Sequence, residues 1–126
     1  MYEVQRLKHA LQALAAKPED QLRIYPDFVC KVDELALDYN DWLGVCEGLP
    51  DADLHPAALM LLRVIRARLG AMSGQANAEL WTETALRDRS EWKDIRTMAC
   101  KALSVLKWPL EPPPPSPDAF VPGGPA

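Results

Sequence analysis

Phe28, Val32, Leu35, Tyr39, Trp42 and Cys46 follow one another at alternating spacings of 4 and 3. Only an α-helix, at about 3.6 residues per turn, gathers such positions on one face, so this stretch commits the chain to a long amphipathic helix. Val29, Ala36 and Leu43 widen the apolar stripe, and Asp27, Lys31, Glu34, Asp38 and Asp41 stand opposite it as an acidic ridge. The helix is expected to start at Pro26 or Asp27, both suited to a first turn, and to stop at Gly48 before Pro50.

Three more long helices follow from the same periodicity. Val4, Leu7, Leu11 and Leu14 make the stripe of a first helix, which Pro18 ends near Ala16. Asp51 or Asp53 is the expected cap of a helix with Pro56 in its first turn, running to about Met72. Ala58, Leu61, Leu62, Ile65, Leu69 and Met72 form its main face; Met60, Val64, Ala67 and Ala71 form a second, adjacent one. A helix apolar on two sides needs two partners, within the chain or in a second copy. Trp92, Ile95, Ala99, Leu103 and Leu106 mark a last helix, with Asp88 and Glu91 at capping-box spacing and Ser90 as an alternative cap. Residues 75–89 lack a sustained period and read as a loop with a short helical turn tucked down by Trp81. The predicted class is all-α: an antiparallel bundle of four main helices with a short extra helical turn and a Pro-rich C-terminal tail.

Of the 12 prolines, 8 lie at or after Pro109. Residues 1–108 therefore read as the bundle domain and 109–126 as a tail, extended like polyproline II or disordered. Pro112 to Pro115 with Pro117 would suit an aromatic groove of a partner, but no Lys or Arg flanks them. The 14 Lys and Arg against 18 Asp and Glu argue against nucleic acid. Leaving out Glu111 and Asp118 of the tail does not reverse that balance.

Met1 to Lys17 mixes charge with apolar residues, unlike a secretory signal, and the longest apolar run, Pro56 to Leu62, is far short of the ~20 residues that span a bilayer. Cys30 and Cys46 point roughly 160° apart on one helix and cannot pair; with Cys100 they are expected as small apolar groups in or near the core. The expectation is a reduced, cytoplasmic protein with no membrane partner.

The two histidines, His9 on the solvent side of the first helix and His55 beside Pro56, have no metal-ligand spacing to a second ligand. No nucleophile elbow, P-loop or dinucleotide Gly pattern occurs. Asp38-x-x-Asp41 and Glu91-x-x-Asp94 each set two acids one turn apart, and Glu79 and Glu83 add a third pair. These pairs resemble those of all-helical nucleotide pyrophosphohydrolases, in which acids on neighbouring helices hold magnesium at a phosphate chain. The resemblance implies a magnesium-dependent enzyme with Asp38, Asp41, Glu91 and Asp94 as ligands. Asp38 and Asp41 nevertheless lie opposite the apolar stripe, so a solvated ridge, with no metal or cofactor, is the preferred reading.

Arg63, Arg66 and Arg68 are expected to pair with an acidic ridge of a neighbouring helix or subunit. Trp42 and Trp92 fall on buried stripes; Trp81 and Trp108 read as anchors of irregular segments. The function expected from these features is a small non-catalytic protein-interaction module, an adaptor or an immunity-type inhibitor. Its interaction residues would be Glu34, Asp38 and Asp41 on the ridge and Met60, Arg63, Val64, Arg66 and Ala67 on the two-sided helix. Its partners would be another protein and a second copy of itself, in a homodimer burying Met60, Val64 and Ala67.

Overall fold

The computed structural model describes residues 1–115, and every regular element among them is helical. The long helices are α1 (Tyr2–Ala15), α3 (Lys31–Glu47), α4 (Pro56–Ala71) and α6 (Ser90–Leu106). Between them stand the short helices α2 (Pro18–Ile24) and α5 (Glu83–Asp88), and 3₁₀ segments at Pro50–Ala52 and Gln75–Trp81. α1 packs mainly on α3 and α6, and α4 mainly on α6. The core between them holds Leu7, Leu11 and Leu14 from α1, Leu35, Tyr39 and Leu43 from α3, Leu62 and Ile65 from α4, and Trp92 and Ile95 from α6. The Tyr39 hydroxyl donates to the Leu62 carbonyl at 2.7 Å, a polar tie from α3 to α4 inside that core. No helix among the described residues is long and apolar enough to cross a membrane.

The helix over the acidic ridge begins at Lys31, one turn later than its stripe predicts, and Phe28 is 63% exposed. Pro26 starts a turn instead, closed by the Val29 amide on the Pro26 carbonyl, and Cys30 is extended. Lys31 holds the turn by donating to both the Leu22 carbonyl (2.8 Å) and Asp27 (2.7 Å). Cys46 is buried in the core and Cys100 is half-buried against it, as expected, whereas Cys30 is consequently exposed.

Periodicity overlooks α2 altogether. Pro18 both ends α1 and opens α2 at its first position, where its missing N–H costs nothing, with Glu19 and Asp20 favourable in the first turn. The end of α1 depends on this helix. Gln21 donates to the last-turn carbonyls of Ala13 (2.9 Å) and Leu14 (3.2 Å), the first of which also accepts from the Ala16 cap amide (3.3 Å).

Caps also differ from expectation. Asp53 has a left-handed φ of 48° outside the helix, and α4 is capped by His55, whose Nδ1 accepts from the Ala57 amide at 3.1 Å. Asp88 belongs to α5, so it cannot cap α6, which starts without a side-chain cap. α5 itself is capped by Thr82, whose Oγ1 accepts from the Ala85 amide at 3.1 Å.

Beyond α6 the chain turns at Lys107, in the left-handed region, and returns along α1. Gln12 donates to the Pro109 carbonyl at 2.9 Å, and Pro113 is buried. Residues 116–126 of the expected tail lie outside the described residues.

Candidate functional site

The acidic pairs are not brought together. Asp38 is half-buried, accepts from the Tyr25 hydroxyl at 3.1 Å, and lines a small hollow with Arg6, His9 and Pro113. Glu91 and Asp94 line a different hollow, of about 230 Å³, with Arg68 and Asn77. Glu91 takes a hydrogen bond from Arg89 at 3.2 Å. Among the described residues no three His, Cys, Asp or Glu side chains converge as a metal site would require. The four-carboxylate centre that the pyrophosphohydrolase resemblance implies is thus not assembled. Leu35 and Tyr39 turn inward on α3, and Trp92 and Ile95 on α6, so the acids between them leave on separate surfaces.

The ridge is also less uniform than its spacing predicts. Asp41 is exposed, whereas Asp38 sits under Tyr25 and the returning proline segment. Burial, then Asp38, pushes the Tyr25 phenol up, so it remains a donor. Burial and the nearby Asp38, Asp33 and Asp41 raise the Glu34 carboxyl, a sign that this face carries excess negative charge. His9 is half-buried beside it; burial, then Lys8 and Arg6, lower its ring, and Gln5 lies 3.1 Å away.

Arg63 and Arg66 reach Glu47 at the end of α3, not the ridge. Arg63 Nε donates to Glu47 Oε2 at 2.8 Å, and Arg66 grips both carboxylate oxygens. These donors hold Glu47 down to about 2. Because the folded value lies below the ordinary 4.5, the pair stabilises fully above pH about 4.5, and its contribution fades as pH falls through about 2. Arg63 is half exposed, so solvent screening limits the effect to about 1 kcal/mol. Glu47→Gln is expected to lower the unfolding free energy read from urea titration by that amount at pH 7, with the difference from the parent chain shrinking towards pH 2. A gap that stays constant across this range would contradict the assignment.

The aromatic residues divide as follows. Trp92 is buried as expected, but Trp42 is only half-buried, with the Tyr2 ring edge-on at 5.7 Å and the Arg6 guanidinium over it at 5.4 Å. Trp81 anchors the Gln75–Trp81 segment by donating Nε1 to the Met72 carbonyl at 2.7 Å. Trp108 is half-buried.

Two apolar features remain open. The outer face of α4 leaves Met60 69% and Val64 45% exposed, with Ala67 and Ala71 exposed on the same line. The second is a hollow of about 420 Å³ between α3, the end of α4 and the Gln75–Trp81 segment. The side-chain oxygen of Asn40, one of its lining residues, is buried and accepts no hydrogen bond from the described residues. An unmet buried acceptor costs about 1–3 kcal/mol. Sequence reasoning missed this hollow, yet Asn40 follows Ala36 by four and precedes Leu43 by three, an amide set among the stripe's own apolar positions. Against known proteins, the chain matches no family model, no curated protein and no solved structure.

Proposed function

We propose that this chain is a non-catalytic protein-interaction module, its four long helices forming an antiparallel bundle that pairs with a second copy through the outer face of α4. The observation that carries this reading is the open stripe of Met60, Val64 and Ala67 along a helix whose opposite face is core. Ala67 and Ala71 permit close approach of a second helix, and Glu47 offsets one of the two positive charges of Arg63 and Arg66, reducing repulsion between like-charged flanks. In such a cytoplasmic module, an adaptor or immunity-type inhibitor, the acidic face of α3 with Glu34 and Asp41 stays free for another protein.

A two-fold contact uses each side chain twice. Burying one Met is worth about 2 kcal/mol, so Met60→Lys is expected to weaken the dimer by well over ten-fold, and Val64→Lys similarly. Both positions are exposed, so the fold should survive, as circular dichroism would check. Light scattering and sedimentation equilibrium read the association. A parent chain that stays monomeric at high micromolar concentration would overturn the reading.

A further inference from the structure

The hollow beside α3 is apolar in its walls and acidic in its charge. Leu69, Ala36 and Trp81 form its sides, Leu37 stands at its rim with 53% of its surface exposed, and Asp33 is the only charged residue among the described residues lining it. Of the cations on α3 and α4, Lys31 donates to Asp27 and Leu22, Arg63 and Arg66 pair with Glu47, and Arg68 lines the separate hollow of Glu91 and Asp94. Along α3 the open face continues from Asp33 through Leu37 and Asn40 to Gly44, where an added Cβ would meet nothing within 4 Å. That is a face of roughly three helical turns, about 16 Å long, of which the trough takes the part from Asp33 to Asn40, with open space at Gly44 for another backbone to approach. Its volume falls in the range of about 300–1,000 Å³ that receives side chains or ligands.

We propose that this trough docks a basic amphipathic helix of another protein. An apolar side chain of the partner enters between Leu37 and Trp81, and a Lys or Arg one turn away meets Asp33, with Asp41 and Glu34 on the same helix adding to the attraction. A donor brought into the hollow also satisfies Asn40 after a turn of its amide. The inference rests on the reading of the chain as a binding module and names the partner's class; it does not depend on self-association through α4.

The probes are two synthetic helical peptides with the same leucine face, one carrying lysines and the other glutamates, followed by fluorescence anisotropy with the full chain. The lysine peptide is expected to bind about ten-fold or more tightly than the glutamate peptide. Leu37→Lys should weaken it by about ten-fold or more, and Gly44→Leu, which puts a side chain in the open space where the partner's backbone approaches, should do the same. Asn40→Leu should weaken binding while raising the melting temperature, a combination that mere loss of structure does not produce. The proposal is overturned if neither peptide binds, if both bind equally, or if the lysine peptide binds the Leu37→Lys and Gly44→Leu chains as it binds the parent. Light scattering on the same samples separates the two readings: a dimer that ignores the peptide defeats only this inference, and a monomer that ignores it defeats both.

Discussion

Trp92→Ala is expected to lower the unfolding free energy by about 3–5 kcal/mol, the range for truncating a large buried aromatic side chain. Trp92 is 1% exposed, and three interactions would vanish together. Its ring packs in the core. Its Nε1 donates to the Leu80 carbonyl at 2.7 Å, which would lose that donor. Its ring also meets Trp81 edge-on at 5.3 Å and 87°, a geometry worth about 0.5–1.5 kcal/mol beyond burial. Domains of this kind carry about 5–15 kcal/mol in total, so the variant would be close to unfolding at room temperature. Urea titration at unchanged slope measures the loss. A shift below about 1 kcal/mol would mean that Trp92 does not organise this side of the core.

Arg96→Met should cost about 2–3 kcal/mol. Arg96 is half-buried on α6 and donates to three acceptors on different elements: the Ala16 carbonyl at 2.9 Å, the Leu86 carbonyl at 3.2 Å and Gln21 Oε1 at 3.4 Å. Burial pushes its guanidinium down, but the planar fork of donors remains charged at neutral pH. Methionine keeps the apolar stem and leaves those acceptors without it. Hydrogen exchange should therefore quicken first in α2 and α5 and at the end of α1. Arg96→Lys should recover only part of the loss, because one ammonium cannot span three directions. Equal stability of the Met variant and the parent would show that water replaces all three contacts.

How much of this was legible beforehand depended on the range of each interaction. The stripes of α1, α3, α4 and α6 depend on spacing alone, and Leu7, Leu35, Leu62 and Ile95 were readable as core from neighbours within two turns. α2 escapes because seven residues make too few turns to show a period, and Pro18 signals a stop and a start with the same chemistry. Arg96 makes its contacts over a longer range. Its acceptors lie 80, 75 and 10 residues away, so no local pattern foretells them.

The candidate surfaces divide on the same line. The exposed stripe at Met60 and Val64 followed from helical spacing on a segment already apolar on its other side. Whether Asp38 and Asp41 would meet Glu91 and Asp94 depended on how α3 and α6 turn about their axes, which the burial of Tyr39 and Trp92 decides.

From the chain alone came the helical class and the inward faces, because backbone hydrogen bonding and side-chain period act over a few residues. Folding in three dimensions alone decided which carbonyls Gln21 and Arg96 cap, that Glu47 gathers two arginines, and that a hollow opens beside Asn40. Those outcomes belong to contacts between elements distant in sequence, where small rotations of whole helices determine which groups meet.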